Sequence, residues 1–256
     1  MEDNFSREEL QLPGTFGNHT VKLSRLFPHE EASCSVLLLH GVHSSANLSR
    51  HNKFRHLAEL LAESGRMPWL CETSRREAPR EAFGDDSFAW IKEAFGGKNF
   101  QNELDDCAAA LTRVLAEKPE SLWLWGFSLG GLTALTLVSG PDGVHAEKVI
   151  ISGTGLVSMP AVERVMPYMP ILSTLRQTID CNRLKNVKTE ELISFRGEYD
   201  EVFSEEACRE LLAETALPAE RKKFYTIKGA DHSMKIRNNR YDSKLMDEML
   251  SLIEAR

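Results

Sequence analysis

Short apolar runs take turns with longer amphipathic stretches along this chain. Ser35–Leu39, Met67–Cys71, Ser121–Trp125, Val149–Ser152, Leu192–Phe195 and Phe224–Ile227 read as short strands. Runs this short and this apolar suit strands buried on both faces of a parallel sheet. Thr20–Phe27 alternates instead, with Val21, Leu23 and Leu26 apolar, and is expected to be an edge strand. Helices are expected in between. Lys53–Ser64 carries Phe54, Leu57, Leu60 and Leu61 at helical spacing and stops at Gly65. Phe100–Leu115 puts Phe100, Leu104, Cys107, Ala108, Leu111 and Leu115 on one face, and Lys244–Ile253 makes a last amphipathic helix. Ser204 is placed to cap another, with Glu205 and Glu206 in its first turn. Strands alternating with helices imply a mostly parallel α/β sheet covered on both faces, with ligands bound beyond the carboxyl ends of the strands.

Two stretches break the alternation. Residues 72–99 are charged and carry glycine-containing turns. Residues 154–189 hold Pro160, Pro167 and Pro170 among Met159, Met166, Tyr168 and Met169. An insertion between two core strands is expected to be a short lid, with Met159, Met166 and Met169 facing substrate. The alternative is that these methionines only seal the segment onto the core.

Composition narrows the choices. The 256 residues, 42% of them hydrophobic, suit one α/β domain. No apolar run is long enough to span a membrane, and the acidic start Met1-Glu-Asp-Asn is unlike a secretory signal. A net charge of -7 argues against nucleic acid or an anionic membrane as partner. Five widely spaced cysteines without a CxxC pattern fit free thiols in the cytoplasm. No metal site is expected, since His40 and His43 have no evident third ligand.

The apolar run Leu122–Trp125 leads into Gly126-Phe127-Ser128-Leu129-Gly130, followed by a helical stretch to Val138. A serine at such a strand-to-helix turn stands above the sheet as a nucleophile, and the glycines give the turn its room. A serine hydroxyl needs a base, and the base needs an acid to fix its tautomer. His232 follows one expected strand and Asp200 another, giving the order Ser128, Asp200, His232. Glu198 and Asp231 are competing acids. Asp200 is preferred, because Asp231 adjoins the histidine and is badly placed to accept from its ring. The strand ending at Leu39 runs into His40-Gly41-Val42-His43. The backbone N–H groups of Val42 and Leu129 are therefore the expected oxyanion donors. His40 is expected to brace the loop and His43 to line the pocket.

His40-Gly41, Gly126-Phe-Ser128-Leu-Gly130-Gly131, Gly197-Glu-Tyr-Asp200 and Gly229-Ala-Asp-His232 together resemble the α/β-hydrolase-fold serine hydrolases. The resemblance spans residues 36–233 and is nearest to small cytosolic esterases and serine aminopeptidase-like members. It implies an eight-stranded, mainly parallel sheet, a cap inserted before the strand that precedes the acid, and ester hydrolysis without metal or organic cofactor. Many relatives carry Asp-x-x-Gly-x-Gly-x-Ser after the fourth strand. Here the stretch is Cys71-Glu-Thr-Ser-Arg75-Arg76-Glu-Ala-Pro79-Arg80. Its arginines would either meet an anionic substrate or pair with Glu72, Glu77 and Glu81. The expected substrate is a small to medium carboxylic ester. The same triad would also serve a thioester, an amide or a carbon–carbon bond, and a third alternative is a protein of this fold that only binds a ligand.

Overall fold

The computed structural model describes residues 5–50, 52–156, 158, 160, 164, 170–175, 181–236 and 242–255. Eight strands form one sheet in the order β1-β2-β4-β3-β5-β6-β7-β8. They are β1 (Arg7–Pro13), β2 (Thr20–Leu26), β3 (Cys34–Leu39), β4 (Met67–Glu72), β5 (Ser121–Phe127), β6 (Ala146–Ser152), β7 (Thr189–Tyr199) and β8 (Lys222–Asp231). β2 is antiparallel to both neighbours; every pairing from β4 to β8 is parallel. The alternating β2 is thus not at the edge, as its pattern suggests. β1 lies outside it. Glu8, Leu10 and Leu12 form the half-buried face of β1, and the two leucines are its only apolar side chains besides Pro13, as an edge strand tolerates.

Helices cover both faces. α1 (Lys53–Glu63) is capped by Asn52 and ends before Gly65, whose φ of +77° only glycine adopts freely. α2 (Ser87–Phe95) lies within the charged stretch 72–99, capped by Asp86. α3 is Phe100–Ala116 and α4 is Leu129–Leu137. Two later helices, Glu205–Glu214 and Ser243–Glu254, are capped by Ser204 and Asp242. α3 departs from its expected face. Phe100, Glu103, Asp106, Cys107, Ala110, Leu111 and Val114 are buried, while Leu104, Ala108 and Leu115 are only half-buried.

Glu103 and Asp106 turn inward because Lys98 is buried with them. Its Nζ lies 2.5 Å from Glu103, 3.6 Å from Asp106, 3.0 Å from Thr73 Oγ1 and 2.6 Å from the Ser74 carbonyl. Asp106 also accepts from Ser74 and Thr15. One cation among two carboxylates, with hydroxyls and backbone groups filling the remaining valences, is how buried charge becomes tolerable. Two apolar layers pack against the sheet faces, one under α1 and the C-terminal helix, the other under α3 and α4.

Candidate active site

Ser128, Asp200 and His232 are each the first residue beyond a strand: β5, β7 and β8. The three strands are parallel, so all three residues emerge at one edge of the sheet. β8 lies three strands from β5, about 14 Å at ordinary strand spacing, so its loop must fold back over β7 and β6. Gly153, the first residue beyond β6, makes that passage free. A Cβ there would sit 3.1 Å from His232 Nδ1 and 2.9 Å from its carbonyl.

Ser128 has φ +53° and ψ −117°, a strained conformation for a residue with a side chain. It is held by its N–H on the Ser152 carbonyl (2.7 Å) and its own carbonyl under Thr154 Oγ1 (3.0 Å). The flanking glycines are steric necessities. A Cβ at Gly126 would stand 2.0 Å from the Gly130 carbonyl oxygen; one at Gly130 would stand 2.5 Å from that of Leu39. The N-terminal end of α4, with its free N–H groups and positive dipole end, therefore sits directly behind the hydroxyl.

His232 joins the other two residues through opposite ring nitrogens. Nε2 is 3.0 Å from Ser128 Oγ, and Nδ1 is 3.0 and 3.1 Å from the two oxygens of Asp200. An ionised carboxylate only accepts, so Nδ1 carries the hydrogen and Nε2 is free to take the serine proton. Asp200 is buried. Burial opposes its charge, but the hydrogen bond and charge of His232 and the N–H groups of Phe203 and Val202 outweigh that and hold its carboxyl below the ordinary range. Arg196 fixes the loop by binding the carbonyls of Phe203 and Asp200. The competing acids are engaged elsewhere. Glu198 accepts from the Gly229 N–H, and Asp231 from the N–H groups of Ser233 and Lys235.

Gly41 lies against the serine, since a Cβ on it would be 3.2 Å from Ser128 Cβ. His40 is buried, with Nδ1 at 2.8 Å from the Gly41 carbonyl and Nε2 at 3.1 Å from Thr73 Oγ1, which reaches Glu103 and Lys98. Burial lowers the His40 pKa despite Glu103 nearby, which keeps the ring neutral. His43 has φ +51° and stacks at a tilt on Phe95 with 5.0 Å between centroids. Its Nε2 is buried without a hydrogen-bond partner, and burial lowers its pKa to about 4. A third apolar cluster adjoins the loop: Phe95, Phe100, Leu129 and Ile171, with Val42, Trp90 and Leu172 packed on it.

Met159, Met166 and Met169 lie outside the described residues. The arginines are engaged with other groups. Arg75 pairs with Glu72, Arg76 lies over the Phe16 ring, and Arg80 binds Gly84 and Ser87 while covering Trp90. Two clefts of 480 and 720 Å³ flank Arg75 on the β1–β2–β4 side, and neither is lined by Ser128, Asp200 or His232. Among the described residues no group of three His, Cys, Asp or Glu could hold a metal ion, and no helix is long and apolar enough to cross a membrane. α2 and the Lys98 cluster were not anticipated from the sequence. The signals present were Asp86 before an apolar nonamer, and two carboxylates three residues apart in line with Phe100 and Cys107.

Solved structures share this architecture over nearly the whole chain. A cold-adapted esterase from an Arctic intertidal metagenomic library is 19% identical, covers 97% of this chain and 94% of its own, and superposes with a TM-score of 0.64. This is the α/β-hydrolase fold. An esterase of Pyrococcus furiosus is similar at 15% identity, with 98% and 91% coverage and a TM-score of 0.66. A Xanthomonas campestris α/β serine hydrolase described as lacking a lid is 15% identical, with 97% and 92% coverage and a TM-score of 0.60. No family profile matches the sequence, and no curated protein matches it.

Proposed function

We propose that this α/β-hydrolase-fold protein is a serine hydrolase of small to medium carboxylic esters, working through an acyl-enzyme. The observation that carries this is His232 bridging Ser128 and Asp200 through its two ring nitrogens. Ser128 Oγ attacks the ester carbonyl carbon as Nε2 takes its proton. Asp200 keeps the imidazole in the accepting tautomer and stabilises the imidazolium that forms. The tetrahedral oxyanion is held by the N–H groups of Val42 and Leu129. The Gly41 carbonyl faces His40, and the peptide is trans, so the Val42 N–H on the same plane points the opposite way. Leu129 opens α4 and has no partner for its N–H within the helix. The imidazolium returns its proton to the leaving alcohol, and water then releases the acid by the same path.

The acyl group in this reading is uncharged. Support comes from the cluster of Trp90, Phe95, Ile171 and Leu172 beside Val42, from a neutral His43, and from arginines occupied elsewhere. In this reading residues 154–189 serve as a short cap. Rates should peak at acyl lengths of about four to eight carbons, where each buried methylene contributes about 0.8 kcal/mol until the pocket ends. We place the protein in the cytoplasm, in keeping with four free described cysteines. The test is fluorophosphonate labelling with the site mapped by mass spectrometry, together with p-nitrophenyl esters, an aryl amide and a thioester. Labelling at Ser128, lost in Ser128→Ala with ester turnover, is expected. A folded protein that neither labels nor turns over any substrate would be a binding protein instead.

A further inference from the structure

The start of α1 touches three of the four segments that make the candidate site, all but the Asp200 loop. Asn52, its cap, donates from Nδ2 to the Ser45 carbonyl at 2.8 Å and to Asn47 Oδ1 at 3.2 Å, on the loop that carries Gly41 and Val42. Lys53, the first helical residue, sends its side chain the other way. Its Nζ donates to the carbonyl of Ser233 at 2.8 Å, across 180 residues of sequence. The same ammonium lies 4.1 Å from the centre of the Phe127 ring. Phe127 immediately precedes Ser128, and Ser233 immediately follows His232.

We infer that Lys53 is a positioning residue, a strut whose ammonium fixes the His232 loop relative to the Ser128 elbow; this rests on the serine-hydrolase reading above. The elbow end is rigid. Phe127 is buried, meets Phe54 edge-on at 5.1 Å and stacks on Trp125 at 5.9 Å. The histidine end is a tight turn. It is closed by the Asp231 N–H on the Lys235 carbonyl and by Met234 at φ +54°. Its internal bonds shape the turn but do not tie it to β5. The Lys53 contact does, between the residues next to nucleophile and base. Burial and the Lys235 charge, opposed by Asp231, lower the Lys53 pKa to about 7, so the amine is fully charged only below that pH. There, an ammonium on a carbonyl and over an aromatic face is a charge-assisted pairing. Losing it lets His232 Nε2 drift from its 3.0 Å contact with Ser128 Oγ. Ring-to-hydroxyl geometry sets the rate of attack, whereas ester binding depends on surfaces that Lys53 does not touch.

The test compares wild type, Lys53→Met and Lys53→Arg in fluorophosphonate labelling rate, kcat, KM and Tm, all below a pH of about 7, where Lys53 carries its charge. Met keeps the stem and removes the cation; Arg keeps a cation. Lys53→Met should label and turn over about tenfold more slowly, with KM changed by less than about threefold, as loss of one charge-assisted contact predicts. Lys53→Arg should recover most of the rate, and Tm should stay near wild type in both. A Lys53→Met rate within about twofold of wild type, or Lys53→Arg as slow as Lys53→Met, overturns the strut. Should Lys53→Met not fold, Lys53→Gln is read by the same criteria. Wild type that labels at Ser128 while Lys53→Met labels equally fast removes the strut and leaves the hydrolase standing. Wild type that does not label removes both.

Discussion

Replacing Asp200 by asparagine tests the bond on which the proposed chemistry turns. Oδ1 of Asp200 accepts from the N–H groups of Val202 and Phe203 at 2.8 and 3.0 Å. Oδ2 faces His232 Nδ1 at 3.0 Å and is the acceptor left to it, since Oδ1, at 3.1 Å, is already taken by the two backbone donors. An asparagine that keeps its oxygen under the two backbone donors puts its NH2 where Oδ2 was. A donor then faces Nδ1, so His232 takes the tautomer with hydrogen on Nε2. Nε2 now points a hydrogen at Ser128 Oγ and accepts nothing. Flipping the amide restores the tautomer but strips two half-buried N–H groups of their acceptor, at up to about 1–3 kcal/mol each. The wrong tautomer therefore prevails. Turnover should fall by about ten-thousandfold, a barrier increase of roughly 5.5 kcal/mol, with the fold intact. The assay is kcat on p-nitrophenyl butyrate, with labelling rate and Tm on the same preparations. Glu198→Gln and Asp231→Asn serve as controls, since neither carboxylate touches the ring and each keeps an acceptor for its present partners. A folded Asp200→Asn retaining a tenth of wild-type turnover, or a control variant equally damaged, would refute the assignment.

Gly130→Ala places a Cβ against the backbone carbonyls of Leu39 and His40, neither of which can rotate away. It should cost about 1–3 kcal/mol of stability and shift α4 enough to slow Ser128 labelling at least about tenfold; unchanged labelling would mean that the elbow is less constrained than its contacts imply. Lys98→Met leaves Glu103 and Asp106 buried without their cation and should cost about 3–5 kcal/mol, roughly 10 °C in Tm. In the native protein burial opposes the Glu103 charge, but Lys98, His40 and Thr73 hold its pKa low. Its contribution is therefore present above the ordinary glutamate pKa of about 4.3 and fades as pH falls through the lowered value. Without Lys98 burial raises that pKa, so the Tm deficit should be largest near about pH 8 and shrink toward about pH 5. An equal deficit at both pH values would contradict this.

The candidate site was more legible in the sequence than its surroundings were. Ser128, Asp200 and His232 each follow an apolar run, and strand ends are where a parallel sheet presents its chemistry. β1 escaped notice because a solvated edge strand carries little apolar signal, and Leu10 and Leu12 are all that marks it. α2 hid in a charged stretch because nine residues give too few turns for a periodicity to stand out. The face of α3 was misjudged for a deeper reason. Glu103 and Asp106 read as solvent-facing until Lys98, Thr73 and Ser74 arrive from elsewhere in the fold to pair with them. Hydrophobic pattern reports burial of apolar groups and is silent about polar groups that bury together.

The backbone angle of Ser128 has a consequence for what the chain can afford to lose. A side chain at φ +53° costs about 1–3 kcal/mol that glycine would not pay, a sizeable share of the margin by which most proteins stay folded. Ser128→Gly should therefore melt higher than wild type while doing nothing at all to an ester; a lower Tm would show the elbow to be relaxed. A protein of this shape that merely held a ligand would have an easy route to greater stability, one codon away. This chain keeps a hydroxyl at a strained point of its backbone, which is what the proposed hydrolase chemistry expects of a residue held for its reactivity and not for its fit.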